Sequence, residues 1–328
     1  MLKQERAAKR RNAYGNIFLL LLGLPVFWGC ARILPARSEL VLGTLCTINL
    51  DAGGTAELYG KLFARLKELE GRFSVNRDDT ELMKINGAAG ITAVSVHPEL
   101  IAVLERALYF AEASGGAFDP SIGPLVRLWG IGTQEARIPT SAEINEALSL
   151  VNWRDIVIDR KAGTVFLPRP GMALDLGAIA KGYAADELIR LIKAAGLPRA
   201  VIDLGGNIFA YGEKRGGQPW RIGIQNPLEE RGNYMAILEV RNKSVVTSGI
   251  YERFFDAGGR RYHHILSTET GYPVDTDLLS VTLIAENSAD ADALSTAAFA
   301  LGGGAGRALV ESMGAEAVFV SADKGVRC

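Results

Sequence analysis

Between residues 200 and 285 the chain carries a run of strand-like segments with no helical pattern among them. The segments 200–204, 220–224, 235–240, 244–247, 254–255, 262–266 and 280–285 are rich in β-branched and aromatic residues, and Gly, Asn or Pro punctuates the gaps. Helical patterns gather on either side, at 56–69, 98–114 and 184–195 before the run and at 289–301 after it. Successive parallel strands need a crossover of about a dozen residues or more, usually a helix. Strands come in runs with helices between them, not in strict alternation, which favours α+β, with mixed or antiparallel sheets and packed helices, over a doubly wound sheet. The earlier part adds a strand at 40–50 with Gly43-Thr44 inside it, a short strand at 92–96, and a hairpin of 156–158 with 164–167. Gly71 reads as the stop of the 56–69 helix, Ser141 as the N-cap of a helix to about residue 150, and Ser288 as the N-cap of the 289–301 helix. Gly302, Gly303 and Gly304 end that helix, and a further helix and a strand at 317–320 close the chain.

The stretch with the densest chemistry lies just before the run of strands. Residues 172–174 read as the end of a buried strand and 184–195 as a helix; between them stand Asp175, Leu176, Gly177, Ala178, Ile179, Ala180, Lys181, Gly182 and Tyr183. Small residues let the backbone approach a ligand closely. The opening of a helix presents N–H groups that suit phosphate, and Lys181 adds a positive charge. A salt-bridged strand-to-helix turn with no ligand is the competing account.

Residues 1–30 look like an export signal. Lys3, Arg6, Lys9, Arg10 and Arg11 form a basic start, and an apolar run from 17 to 28 ends at Gly29-Cys30. That run is shorter than the roughly 20 residues of a membrane span. A small residue before cysteine resembles a bacterial lipoprotein signal, although Phe27 and Trp28 are bulky for one. The expected organisation is a signal peptide at 1–29, a lipidated Cys30 leading a linker at 30–38, and one domain from 39 to 328. An uncleaved anchor is the alternative. Cys46 alternates within a strand and reads as core, Cys328 as inert. A net charge of −1 gives no basis for nucleic-acid binding.

Two further groups lie downstream. Asp292 and Thr296, four apart on a helix, share one face, and a carboxylate with a hydroxyl is a hard-oxygen pair of the kind Mg²⁺ takes. The same pair also serves as a dipole partner and a solvated side chain in ordinary helices. His263 and His264 are neighbours on a strand, so they point to opposite faces, and one of them can act as acid, base or phosphate contact. Asp119, before Pro120 and flanked by glycines, belongs to a shaped loop in which it either meets a ligand or caps a backbone N–H. His97 reads as surface.

Together these motifs resemble the ApbE family of FAD:protein FMN transferases, bacterial lipoproteins that move flavin. The resemblance runs from about residue 40 to about 320, with the motifs in the family's order. Gly43-Thr44 matches its first strand. Residues 73–82 resemble its F-S-x-Y-x-x-D-S-E-L stretch, and 115–129 its G-G-x-F-D-P-x-x-G-P-L-x-x-L-W segment. Residues 175–183 match its D-L-G-x-I-A-K-G-Y core; 203–207, Thr247-Ser248-Gly249, His264-Ile265 and 292–296 complete the set.

The resemblance implies an ApbE-like, T-fold-like architecture and a Mg²⁺ ion held by the Ala178 carbonyl, Asp292, Ser295 and Thr296. It implies FAD contacts from Leu42, Asn76, Ala117, Phe118, Asp119, Asp175, Lys181, Ser248, His264 and Ile265. Asp292, His264 and Lys181 become the catalytic candidates. The implied reaction transfers FMN from FAD to a threonine hydroxyl of an acceptor protein, a redox-pump or electron-transfer subunit, outside the cytoplasmic membrane, and releases AMP. Water in place of threonine would give an FAD pyrophosphatase; a non-catalytic FAD-binding lipoprotein is the third reading. The chain departs from the pattern with Leu42 for Met, Asn76 for Tyr, Thr80 for Ser, and Ser267-Thr268 for Asp-Pro.

Overall fold

The computed structural model describes residues 34–51, 53–230, 232–322 and 325–327. The Cys30 and signal-peptide readings, and Cys328, lie outside these residues. The described chain opens with strands β1 (Arg37–Val41) and β2 (Thr44–Asn49), so β1 begins inside the stretch expected to be linker. The expected single strand at 40–50 is a hairpin. Val41 pairs with Thr44, and the two loop residues Leu42 and Gly43 both have positive φ, 56° and 67°. That is the tight turn whose twist matches paired strands; it favours Gly at both positions and tolerates Leu at a cost.

Helix α1 (Ala56–Phe73) is capped by Thr55, whose side chain accepts from Leu58 N, and it runs past Gly71 to Phe73. Nothing lies within 4 Å of where a Cβ on Gly71 would stand, so this glycine is an ordinary helical residue and not a stop. Then come α2 (Glu81–Gly87), β3 (Val94–Ser95) and α3 (Pro98–Ala113). His97 is the N-cap of α3: its Nδ1 accepts from Glu99 N at 3.2 Å. Residues 123–129 form a helix, α4 (Gly123–Trp129), and α5 (Ser141–Leu148) is capped by Thr140, not Ser141, in a reciprocal box with Glu143. Strands β4 (Val157–Asp159) and β5 (Thr164–Phe166) form the expected hairpin, with β3 on its other side. Residues 172–174 are buried but not a strand: Ala173 makes one isolated parallel bridge to Ile122.

Helix α6 (Ala180–Ala194) starts four residues earlier than its apolar spacing suggests and takes Lys181 into its first turn. The strand run follows as β6 (Ala200–Leu204), β7 (Asn207–Tyr211), β8 (Trp220–Gln225), β9 (Tyr234–Val240), β10 (Lys243–Gly249), β11 (Phe254–Ala257), β12 (Arg260–His263) and β13 (Leu278–Ala285). Helix α7 (Ser288–Ser312) is capped by Asn287, not Ser288, and breaks at Gly302, where φ 79° and ψ 176° are non-helical. Strands β14 (Glu316–Ser321) and β15 (Gly325–Arg327) close the chain.

Eight strands form one sheet in the order β1-β2-β6-β7-β10-β13-β14-β15, every neighbouring pair antiparallel. The α+β expectation holds. Its two faces are covered differently. The main apolar core joins Cys46, Ile48, Ile202, Val246, Val281 and Leu283 of the sheet to Leu188, Ile192, Ala293 and Ala297 of α6 and α7. A second core packs Trp220, Ile222 and Ile224 of the β8–β9 hairpin against Ala210, Val245, Ile284 and Val318. Strand β13, covered on both faces, is therefore apolar and buried almost throughout rather than alternating. Burial pushes the Cys46 thiol up to about 12, with Asp203 and Glu70 adding to it, so this cysteine is an inert core residue.

Candidate active site

The central turn is built by backbone hydrogen bonds. Asp175 N donates to Pro120 O at 2.9 Å, and Asp175 Oδ1 accepts from Gly177 N at 2.7 Å. A carboxylate bonding the N–H two residues on forms a compact turn of its own. Burial raises the Asp175 carboxyl above the ordinary carboxylate range; the Gly177 N–H, Arg253 and Lys181 pull the other way. Ala180 N donates to Leu176 O at 2.8 Å and starts α6, which has no side-chain cap.

Helices α6 and α7 then meet at bare backbone. A Cβ on Gly182 would lie 2.2 Å from Ser288 O and 2.6 Å from Ala289 Cα, so only glycine fits there. This approach lets Gly182 N donate to Asp292 Oδ2 at 3.0 Å. One N–H at the mouth of α6, expected to be open to phosphate, is thus taken by the carboxylate. Asp186, one turn along α6, accepts from the N–H groups of Ser288 and Ala289, both at 2.9 Å, and caps α7 from outside. Burial pushes its carboxyl up to about 6 despite those two bonds.

Four of the expected metal and catalytic residues, Lys181, Asp292, Ser295 and Thr296, come together at this junction with Ser248 of β10. Lys181 Nζ donates to Gly177 O at 3.0 Å and stands 3.7 Å from Asp292 Oδ1. Asp292 is 4% exposed. One turn on, Ser295 Oγ donates to Asp292 O at 2.9 Å, and Ser248 Oγ on β10 lies 2.8 Å from Ser295 Oγ and 3.2 Å from Thr296 Oγ1. Ser295 is fully buried, whereas Thr296 is half-buried. The donors are one carboxylate and two hydroxyls, beside the turn that carries the Ala178 carbonyl. Among the described residues no cluster of three His, Cys, Asp or Glu is present. An all-oxygen set with a single carboxylate fits Mg²⁺, which keeps waters and takes phosphate oxygens, better than zinc or iron.

The histidine pair divides as its opposite faces require. His263 is buried, with Nε2 3.1 Å from Val274 O and Nδ1 accepting from Ile265 N at 3.3 Å, so both nitrogens are used. His264 lies just beyond the end of β12. Its Nδ1 is 3.3 Å from Arg253 O, and since a carbonyl only accepts, Nδ1 carries the proton and Nε2 the lone pair. Burial, then the Arg253, His263 and Lys181 charges, push its imidazole down to about 3. Part of the residue still reaches solvent.

The remaining candidates fall into two groups. Leu42 sits in the β1–β2 turn with its N–H donating to Glu70 Oε1 at 2.7 Å, and the Asn76 amide approaches Gly43. Arg253, which no motif flagged, reaches the same turn. On the 114–121 segment, Phe118 packs in the core against Phe110, and both Asp119 oxygens are bonded, to Ser121 N and Oγ at 2.7 Å and to Trp153 N at 3.0 Å. Asp119 does what a structural turn requires. Ala117 is left to line a small cavity of about 180 Å³ with Ser267, Thr268 and Leu301. Thr268 Oγ1 donates to Gly116 O at 2.8 Å, so the Ser267-Thr268 loop packs on this segment. Ile265 is buried in the main core.

The family model described as "ApbE family" matches residues 42–319. The chain belongs to the ApbE family. Named ApbE-type relatives agree along the chain. It is 43% identical to a Treponema pallidum "FAD:protein FMN transferase", covering 95% of this chain and 92% of that protein. It is 37% identical to a Klebsiella pneumoniae protein of the same name, over 88% of this chain and 90% of the other. The fold matches a crystal structure of the Thermotoga maritima ApbE protein with a TM-score of 0.81 at 33% identity, over 89% of this chain and 96% of that one. It also matches the flavin transferase ApbE from Vibrio cholerae with a TM-score of 0.79 at 28% identity, over 89% and 95%.

Proposed function

We infer that this chain is an FAD:protein FMN transferase, an enzyme that moves FMN from FAD to an acceptor protein. The observation that carries the reading is the junction of α6, α7 and β10, where Lys181, Asp292, Ser248, Ser295 and Thr296 come together from three elements. In the finer reading the acceptor group is a threonine hydroxyl and the metal is Mg²⁺. The threonine oxygen attacks the phosphorus on the FMN side of the pyrophosphate, the bond to AMP breaks, and the threonine proton leaves to a base.

Asp292, Thr296 and Ser295, with the Ala178 carbonyl, would hold Mg²⁺. Bound there, it would neutralise pyrophosphate oxygens and the charge growing on AMP. Lys181 adds its ammonium to the same side. Asp292 has one oxygen on Gly182 N and the other facing Lys181. His264 keeps the lone pair of Nε2 unprotonated, which makes it the candidate base. Burial is the main cause of its low basicity; a bound pyrophosphate would offset only the smaller share due to Arg253 and Lys181. The basic, apolar, Cys-terminated start supports export and anchoring through lipidated Cys30, with redox-pump or electron-transfer subunits as acceptors on the periplasmic side.

Incubating the protein with FAD and Mg²⁺, with and without an acceptor, tests the reading. Acceptor-dependent AMP release is expected. AMP release that ignores the acceptor would make it an FAD pyrophosphatase, and FAD retained intact would make it a binder.

A further inference from the structure

Arg253 lies between β10 and β11, a few residues beyond Ser248, and belongs to none of the motifs read from the sequence. Its backbone carbonyl holds His264, accepting from His264 N at 3.1 Å as well as facing Nδ1. Its side chain runs along two glycines of positive φ. A Cβ on Gly132 would stand 3.1 Å from Arg253 Cδ, and one on Gly43 3.8 Å from Nη2. The side chain is therefore laid between the β1–β2 turn and the loop after α4, a channel that the missing Cβ atoms leave open.

Two groups feel its charge, Asp175 and His264, and the same two feel Lys181. Both cations, carried on different elements, thus lie within electrostatic reach of the same two groups. Among the described residues, no carboxylate stands in ion-pair range of the Arg253 guanidinium, whereas nearby Arg261 pairs with Asp256 at 3.2 Å. Asp175 and Asp292 bring two carboxylates to a site that has to accept a pyrophosphate. Mg²⁺ and Lys181, the latter partly engaged with Gly177 O and Asp292, would still leave two carboxylates and a pyrophosphate short of positive charge.

We propose that Arg253 is a second cation of the flavin-nucleotide site, its guanidinium gripping a phosphate oxygen pair across the cleft from Lys181. The proposal rests on the flavin-transfer reading above. The planar fork of a guanidinium matches two phosphate oxygens, which an ammonium cannot do. Holding the fork on the residue whose carbonyl orients His264 ties the grip on phosphate to the placement of the imidazole.

Equilibrium FAD binding, read by flavin fluorescence without any acceptor, tests this on the wild type, Arg253→Gln and Arg253→Lys. A loss of roughly 10- to 100-fold in FAD affinity is expected for Arg253→Gln, the scale of a charge-assisted hydrogen-bond pair. Arg253→Lys should recover only part of it. The melting temperature without ligand should stay at the wild-type value in both. Displacement of FAD by riboflavin, which lacks phosphate, should need the same riboflavin affinity in all three proteins. Unchanged FAD affinity in Arg253→Gln overturns the proposal. So does an equal loss for riboflavin, which would place Arg253 against the ring. A wild-type protein that binds no FAD would fell the flavin-transfer reading itself, and this proposal with it.

Discussion

Replacing Gly182 by alanine tests whether the α6–α7 contact sets both the stability and the site. The added methyl would start 2.2 Å from Ser288 O and 2.6 Å from Ser288 C and Ala289 Cα, all backbone atoms that no rotamer can move aside. Ordinary contact begins near 3.4 Å, so the helices must part by about 1 Å, an overpacking that costs about 1–3 kcal/mol. Parting them also stretches the 3.0 Å bond from Gly182 N to the buried Asp292 carboxylate, about 1.5–3 kcal/mol for a bond to a charged group. Alanine returns about 1 kcal/mol of helix propensity. The net expectation is a loss of about 2–4 kcal/mol in chemical denaturation, with metal-dependent FAD turnover falling further than stability does. Gly60→Ala is the control: nothing lies within 4 Å of its Cβ position in α1, so that variant gains up to about 1 kcal/mol. A Gly182→Ala protein as stable as the wild type would refute the reasoning, because the helices would then have room the distances deny.

Asp292→Asn keeps an oxygen for Gly182 N but loses the charge beside Lys181; metal-stimulated turnover should fall by about 100-fold or more while the melting temperature moves only a few degrees, and full activity would remove Asp292 from the chemistry. Asp186 has a folded pKa of about 6, raised from 3.8, so its stabilising contribution is complete below about pH 4 and is lost as pH rises through 6. For a mostly buried group this amounts to about 2–3 kcal/mol. Asp186→Asn should therefore flatten the stability profile between pH 4 and 7, and an unchanged slope would exclude Asp186 as its source. Leu42→Asn should stabilise the β1–β2 turn by roughly 0.5–1 kcal/mol, since asparagine accepts the positive φ that leucine resists. It should at the same time weaken FAD binding; a less stable variant would show that Leu42 packing outweighs its backbone strain.

What was legible in the sequence was what local periodicity encodes. The α+β class followed from strands that come in runs rather than in alternation with helices, and the Asp292–Thr296 face from a four-residue step. Caps slipped by a residue, to Thr140 and Asn287, because neighbouring Ser, Thr and Asn side chains are equally able acceptors. The β1–β2 hairpin stayed hidden because Leu42 is a poor residue for its turn, so no Asn-Gly signal marks it. Residues 172–174 carry strand-like side chains, yet their backbone is claimed elsewhere, Leu174 N bonding Asn86 Oδ1 at 2.7 Å. Arg253 and Asp186 act through partners far along the chain, and a lone arginine in a loop or aspartate in a helix has no local signature of such a role. The Gly182 approach is of the same kind. A glycine in a helix suggests nothing until the second helix is in place.

The cleft has two unlike walls. On one side Gly182, Asp186 and Asn287 weld the starts of α6 and α7 into a joint with no side-chain play. On the other side stand the Leu42-Gly43 turn, the Gly130–Gly132 loop and the segment bearing Arg253, where Gly43, Gly130 and Gly132 adopt positive φ. The metal-side geometry is thereby set by a helix joint, and the placement of His264 by a loop. A change of length in the loop that carries Arg253 would therefore move His264 while the joint that positions Asp292 and Lys181 stays as cast.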